Sequence, residues 1–164
     1  PQLPASPREA IDLAMGMARD RLANAAAPRD LTIVGSSLGG FYATWIAEQL
    51  GCKAVLLNPA VNAARDLATQ VGEHHMYHSG APFVFLPGYL AELAAIHAPR
   101  ITQPDRYFLV AATGDEVLDW REMRDRYAGC RQRIVQGSDH GLSDFAEWMP
   151  EVLEFALGGK PVRT

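Results

Sequence analysis

The chain has 164 residues, of which 48% are hydrophobic and 21% are charged, and its net charge is −4. This length fits a single domain with one core, and the composition is that of an ordinary globular protein. The small negative charge argues against a nucleic-acid partner, and no basic run is present to bind phosphates or anionic lipid. No apolar stretch approaches 18 residues and no signal-peptide pattern is present. We therefore expect a cytoplasmic protein with no membrane segment.

The two cysteines do not change this expectation. Cys52 and Cys130 could in principle form one disulfide. Two incidental thiols in a cytosolic protein are the simpler interpretation.

The first predicted helix begins with a capping box. Ser6 is the N-cap, Pro7 occupies the first helical position and Glu9 the third. Apolar residues then recur at helical spacing as far as Leu22, which predicts a helix to about Ala26.

The most informative stretch follows, residues 31–40, which read LTIVGSSLGG. Four residues rich in β-formers end in a G-x-S-x-G motif, and a helical pattern continues to Leu50. Strand, tight turn and helix is the context of a nucleophile elbow, in which the flanking glycines let strand and helix pass without a Cβ clash. Ser37 would project from the end of the sheet. The N–H of Leu38, at the start of the helix, is then a candidate oxyanion donor.

This turn has two other interpretations. It could be a glycine-rich connection with no chemistry, or a loop that binds phosphate. A P-loop is disfavoured because no Lys-Ser/Thr pair follows the glycines, and G-x-G-x-x-G is absent.

The elements after the elbow alternate between strand and helix. Strands are predicted over 53–57, 106–112 and 132–135, and helices after Asp119 and over 143–157. This alternation predicts a mostly parallel sheet covered on both faces, a three-layer α/β/α sandwich in one domain over 1–164.

The connection between the second and third predicted strands is too long for an ordinary crossover. Within it, residues 62–71 could be a helix, 72–82 are polar and turn-rich, and 87–97 suggest another helix. We expect the excursion over 58–105 to shape a lid or cleft.

Three loops that follow predicted strands carry residues capable of chemistry: Ser37, Asp115 and His140. In parallel sheets such loops share one edge. The order Ser, Asp, His is that of α/β-hydrolases. A serine hydroxyl needs a base to take its proton, and the base needs an acid to fix its tautomer.

Each member also has an ordinary interpretation, and other acids compete. Asp115 could be a turn residue and His140 a loop histidine exposed to solvent. Asp119 is better explained as a helix N-cap, the side chain of Asp139 should diverge from its neighbour His140, and Glu116 lies one residue further round the loop. Asp115 is the best candidate acid.

The remaining histidines do not predict a metal site. His74 and His78 have the i, i+4 spacing of two ligands on one helical turn. No cysteine or carboxylate cluster completes the set, and nearby glycines argue against a helix there. The role of these two and of His75 stays open, while His97 is expected to be structural. We expect no metal and no cofactor.

Three blocks carry a resemblance to a known family. They are residues 35–45 (GSSLGGFYATW), 58–61 (NPAV) and 113–119 (TGDEVLD). Together they resemble the small bacterial YqiA/YcfP-like esterases of the α/β-hydrolase superfamily, from residue 1 to about 157, with a weak match between 62 and 104.

The resemblance implies a nucleophile at Ser37, an acid at Asp115 and a base at His140, acting on short acyl esters or thioesters without a cofactor. It alone places residues 58–61 near the cleft. Family members also have a strand, a His-Gly-Phe-like loop, a helix and a second strand before their Pro-Gln-Leu-Pro. A degraded relative would lack this segment. We expect instead that a segment upstream of Pro1 supplies a second oxyanion donor and covers the free side of residues 31–34.

The leading functional prediction is a serine esterase whose partner is a small acyl ester or thioester. An acyl-thioesterase or acyltransferase with the same three residues is one alternative. A non-catalytic, hydrolase-like binding domain is another. The sequence indicates no oligomeric state.

Overall fold

The computed structural model describes residues 1–75 and 80–158. Its regular elements are, in chain order, α1 (Pro7–Leu22), β1 (Thr32–Ser36), α2 (Leu38–Leu50), β2 (Lys53–Leu57), α3 (Ala63–Asp66), β3 (Gly72–His75), β4 (Pro82–Phe85), α4 (Gly88–Ala95), β5 (Tyr107–Ala112), α5 (Trp120–Arg126), β6 (Arg131–Val135) and α6 (Met149–Leu157). Over the two described ranges, no helix combines the length and the apolar character needed to cross a bilayer.

The central sheet has four parallel strands in the order β1-β2-β5-β6. Every residue of β5 is buried, as expected for an inner strand of a sheet covered on both faces. Helices α2 and α5 pack on one face and α6 on the other. The predicted α/β architecture with a mostly parallel sheet is confirmed.

Strand β1, which leads into the elbow, is an edge of this sheet. Among the described residues it pairs only with β2, in the register Thr32↔Lys53 to Ser36↔Leu57. The side chain of Val34, in the middle of β1, is 54% exposed.

Three predicted helices are shorter than expected. The one over 143–157 begins as α6 only at Met149, after a 3₁₀ turn at Phe145–Glu147. Helix α1 ends at Leu22 rather than near Ala26, because the Asn24 side chain donates to the carbonyl of Asp20 and competes for the last turn. Residues 62–71 form only the single turn of α3 and a 3₁₀ turn. The helix stops at Leu67, whose φ of −92° and ψ of 0° leave the helical region.

The stretch predicted to be turn-rich contains an antiparallel hairpin of β3 and β4. Strand β3 carries no β-branched or large apolar residue, so the usual alternation is missing. Cross-strand contact compensates, since the rings of His74 and Phe83 lie 5.6 Å apart. His74 and His75 are successive strand residues and so face opposite sides. His74 therefore lies on a strand and not on a helix. His78, the other member of the i, i+4 pair, lies outside the described residues.

A buried charge network ties the end of α2 to the start of β5. The Arg106 guanidinium (3% exposed) lies 3.2 Å from the Glu48 carboxylate (9% exposed) and also donates to the Ala47 carbonyl at 2.6 Å. Thr102 and Tyr107 donate hydroxyl hydrogen bonds to Glu48 at 2.6 and 2.5 Å. Burial opposes ionisation of Glu48, but these hydrogen bonds and the Arg106 charge outweigh it and hold its pKa below the ordinary 4.5.

Replacing Glu48 with Gln should lower the free energy of unfolding by about 3 kcal/mol or more at pH 7, because it leaves the Arg106 charge buried without a partner. The Glu48 contribution is present above pH 4.5 and is lost as the pH falls through the lower folded-state pKa. The gap between the two proteins should therefore narrow on acidification. Urea denaturation at pH 7 and pH 4 measures both effects.

The matched control is Glu154→Gln, which breaks the exposed pair with Arg131. That change should cost less than about 1 kcal/mol. Equal losses in the two variants would contradict a special role for the buried pair.

Candidate active site

The elbow is a single residue, Ser37, between β1 and α2. Its backbone has φ 52° and ψ −122°, an uncommon conformation for a residue other than glycine. Its N–H donates to the Leu57 carbonyl at 3.0 Å, and its own carbonyl accepts from Gly40 at 2.9 Å and Ala60 at 3.0 Å. Leu38 is the first residue of α2, so its N–H has no partner within the helix.

Two glycines allow the close approach of strand and helix. A Cβ at residue 35 would lie 2.2 Å from the Gly39 carbonyl oxygen, and one at residue 40 would lie 2.6 Å from Cβ of Pro59. At Gly39 a Cβ would meet nothing within 4 Å. The expectation that both glycines of the motif prevent a clash is right for Gly35 and wrong for Gly39. The second close contact is at Gly40, which lies outside the motif.

The structure brings the three predicted residues together. His140 Nε2 lies 2.9 Å from Ser37 Oγ, and His140 Nδ1 lies 3.0 and 2.9 Å from the two carboxylate oxygens of Asp115. The Asp115 side chain is fully buried, while that of His140 is 20% exposed. The Asp115 carboxylate also accepts the N–H groups of Val117 and Leu118, each at 2.8 Å. These bonds leave it aimed at the imidazole.

The competing acids contact backbone groups rather than the imidazole. Asp119 accepts the N–H of Arg121 at 2.9 Å and caps α5. Asp139 accepts the N–H of Ser143 at 2.9 Å, and this hydrogen bond lowers the pKa of Asp139. Glu116 accepts the backbone N–H of His140 at 3.0 Å.

Hydrogen bonds continue between the β5 and β6 loops beyond the strand ends. The Thr113 N–H donates to Val135 at 2.8 Å, and the Gly114 N–H donates to Gly137 at 3.0 Å. In return, the Gly137 N–H donates to Thr113 Oγ1 at 2.8 Å. The loop that carries Asp115 is thereby held beside the loop that carries His140.

Sequence reasoning missed the part that Asn58 plays at this edge. This side chain is fully buried at the end of β2. Its Oδ1 accepts the Ala112 N–H at 2.8 Å, and its Nδ2 donates to the carbonyls of Asp139 at 3.0 Å and His140 at 2.9 Å. A polar residue directly after the apolar run of residues 54–57 was the available signal.

Backbone strain is concentrated in the same loops. Four non-glycine residues of the described chain have positive φ, and all lie beyond the carboxyl ends of the parallel strands: Ser37, Asn58, Ser138 and Leu142. Strain of this kind persists only where surrounding contacts hold it, and it concentrates at functional sites.

Ser37 opens into a cavity of about 600 Å³, within the usual size of a small-molecule site. Leu38, Leu67 and Gln70 separate it from a second cavity of about 310 Å³. The second cavity is mainly apolar, and its remaining lining residues are Leu3, Pro4, Ala5, Gly39, Tyr42, His74, Phe83 and Phe85.

Of the other histidines that the structure describes, none takes part in this hydrogen-bond chain. His74 Nε2 is 2.5 Å from the Gln70 carbonyl. The ring of His97 lies 6.3 Å from that of Phe41, and burial together with Arg126 lowers the pKa of His97. Within the described ranges, no three His, Cys, Asp or Glu side chains are grouped as metal ligands would be.

Several solved structures share this fold. Est1E from Butyrivibrio proteoclasticus is 15% identical with a TM-score of 0.65, over 94% of this chain and 71% of its own. A monoacylglycerol lipase from Paleococcus ferrophilus is 14% identical with a TM-score of 0.63, over 94% and 76%. The esterase domain of a Rhodothermus marinus protein is 22% identical with a TM-score of 0.62, over 87% and 66%. The chain thus spans about two thirds to three quarters of these proteins.

At these identities the comparison establishes the fold and not the activity. A family model gives the closer assignment. The model of the Uncharacterised protein family (UPF0227) matches residues 2–157. The chain therefore belongs to UPF0227, the YqiA/YcfP-like family, and has the fold of the α/β-hydrolases.

Proposed function

We propose that the protein is a serine esterase that hydrolyses carboxylic esters through an acyl-enzyme. The observation that carries the proposal is the chain of hydrogen bonds from Ser37 Oγ to His140 and on to the buried Asp115 carboxylate. An imidazole held between a hydroxyl and a carboxylate is the arrangement that activates a serine. The esterase and lipase names of structural neighbours agree with this chemistry.

In the proposed reaction, Ser37 Oγ attacks the ester carbonyl carbon while His140 Nε2 takes the hydroxyl proton. The tetrahedral oxyanion lies against the Leu38 N–H, at the positive end of α2. Collapse breaks the bond to the alcohol oxygen, which receives the proton from His140. Water then attacks the acyl-enzyme by the same steps and releases the acid. Asp115 stays ionised and stabilises the imidazolium.

The larger cavity carries an excess of negative charge. Its charged lining residues are three carboxylates and one guanidinium: Asp66, Asp119, Glu122 and Arg65. Arg65 is already bound to Glu122 through two nitrogens, at 2.9 and 2.6 Å, and to Asp66 at 2.7 Å. These two carboxylates offset the charge of the one guanidinium, so the lining keeps an excess of negative charge. The cavity therefore favours neutral or cationic esters over anionic ones.

The alternatives have distinct outcomes. An acyl-thioesterase or acyltransferase would use the same residues and differ in the leaving group or acceptor. A non-catalytic binding domain would not react with a fluorophosphonate, which phosphonylates an activated serine. Covalent labelling of the wild-type protein separates this last alternative from the enzymes.

Ser37→Ala should reduce kcat/KM for a simple aryl ester by at least about 1,000-fold, because no other hydroxyl replaces the nucleophile. The matched control is the adjacent Ser36→Ala, which should stay within a few-fold of the wild type. Initial rates and fluorophosphonate labelling measure the effect. Greater damage from the Ser36 change would refute the assignment.

Asp115→Asn should lower kcat by about 10³- to 10⁴-fold, since an amide cannot hold the imidazole in the productive tautomer or stabilise its charge. Asp119→Asn should leave kcat within a few-fold and at most weaken the start of α5 by about 1 kcal/mol. Steady-state kinetics and thermal melts of both variants provide the comparison. Equal losses of kcat would mean that the acid is misassigned.

Phenyl acetate should be hydrolysed several-fold more efficiently than 4-carboxyphenyl acetate, after each rate is divided by its hydroxide-catalysed rate. The physical reason is repulsion between the added carboxylate and the cavity. The preference should shrink in 0.5 M salt and in Glu122→Gln, which removes one negative charge. A preference for the anionic ester would contradict the electrostatic argument but leave the proposed chemistry intact.

A further inference from the structure

We propose that Asn58 and Glu116 are positioning residues that clamp the backbone of His140 and so hold its imidazole between Ser37 and Asp115. The inference rests on the proposed role of His140 as the base. It assigns a function to Asn58, whose buried side chain is not explained by the fold alone.

The loop that carries His140 has little intrinsic rigidity. It lies between β6 and α6, outside any regular element, and glycines occupy positions 137 and 141. Glycine has the widest range of backbone conformations, so such a loop must be fixed by contacts from elsewhere.

Those contacts come from both sides of one residue. Asn58 Nδ2 donates to the His140 carbonyl at 2.9 Å and to the preceding carbonyl, that of Asp139, at 3.0 Å. From the other side, the Glu116 carboxylate accepts the His140 N–H at 3.0 Å. The peptide groups on either side of the His140 Cα are thus both held, which fixes the direction in which the side chain leaves the backbone.

The orientation of the Asn58 amide follows from its partners. Oδ1 faces the Ala112 N–H, which can only donate, and Nδ2 faces two carbonyls, which can only accept. A flipped amide would lose all three hydrogen bonds. Asn58 also has φ 40°, a conformation that Asn, Asp and Gly tolerate better than other residues. Length, polarity and backbone preference at this position are therefore all met by asparagine.

Asn58 also links the clamp to the acid. Its Oδ1 holds the last residue of β5, three residues before Asp115. Glu116 is the residue directly after Asp115. The base is therefore positioned by groups whose own positions are set by the strand and loop that carry its acid partner. A displacement of the ring by about 1 Å is enough to cost roughly 100-fold in rate.

The first test observes the imidazole directly, without using activity. A hydrogen-bonded Nδ1–H between His140 and Asp115 should give a downfield proton resonance that is absent in His140→Gln. We expect Asn58→Gly and Glu116→Ala to abolish or broaden this resonance. Glu116→Gln, whose amide oxygen can still accept the N–H, should restore it.

The second test is kinetic. Asn58→Gly and Glu116→Ala should lower kcat by about 10- to 100-fold and change KM by less than about threefold. Glu116→Gln should recover most of the loss seen in Glu116→Ala. The matched control is Asn24→Asp, which alters an exposed side chain-to-carbonyl hydrogen bond far from the site and should change neither readout.

Three results would overturn the proposal. One is an unchanged resonance and kcat in both Asn58→Gly and Glu116→Ala. Another is a loss of kcat that the reduced folded fraction, from thermal melts, accounts for in full. The third concerns Glu116, whose side chain is exposed. If Asn58→Gly does not fold, a wild-type kcat in Glu116→Ala still refutes the clamp.

A wild-type protein with no ester hydrolysis and no fluorophosphonate labelling would instead refute the proposed function. In that case the resonance still tests the clamp.

Discussion

The site depends on one constraint of the backbone, which passes from strand to helix through a single residue. β1 ends at Ser36 and α2 begins at Leu38, so Ser37 must take a positive φ and a Cβ at residue 35 would collide with the Gly39 carbonyl. Such a conformation costs on the order of 1–3 kcal/mol. The cost is offset by the hydrogen bonds that link Ser37 to Leu57 and Ala60 at the end of β2. The β1–β2 register is therefore part of the site.

Backbone hydrogen bonds also hold the loops at the ends of the next strands. Backbone groups beyond β2, β5 and β6 continue to pair across the sheet, through the Asn58 N–H to Val110 and the Thr113 N–H to Val135. Below them the strands are packed by two apolar clusters, one on each face. Leu142, buried in one cluster at φ 51°, anchors the loop of His140 in that core. The strained loops are rigid because the sheet continues into them.

Much of this arrangement could be predicted from the sequence, because carboxyl ends of parallel strands necessarily share an edge. Ser37, Asp115 and His140 each follow a recognisable strand, so their proximity follows from topology. Asn58 also follows a predicted strand, but its contacts could not be predicted, since its partners are backbone atoms 54 to 82 residues away and backbone atoms are the same in every residue. The close contact at Gly40 could not be predicted for a similar reason, because its neighbour is Pro59 on another element.

The hairpin of β3 and β4 could not be predicted for a different reason. Its stability comes from pairing between strands, and β3 on its own has the composition of a turn. Periodicity detects a strand only when one face is buried in a core. The rings of His74 and Phe83 instead pack against each other, and both residues line the smaller cavity.

The elements around the cleft are held by a buried apolar cluster as well as by polar contacts nearer the surface. Ala63 of α3 and Leu93 of α4 pack in this cluster with residues of α1 and α2. α3 is attached to α5 by the ion pair of Arg65 and Glu122, whose side chains are 58% and 40% exposed. α4 is attached to the start of α1 through Glu92, which accepts hydrogen bonds from Ser6 and the backbone of Arg8. The exposed ion pair of Arg65 and Glu122 contributes little stability, so substitutions at these two positions cost little. The charge of the cleft can therefore be altered at Arg65 and Glu122 without touching the hydrogen bonds around Ser37 and His140.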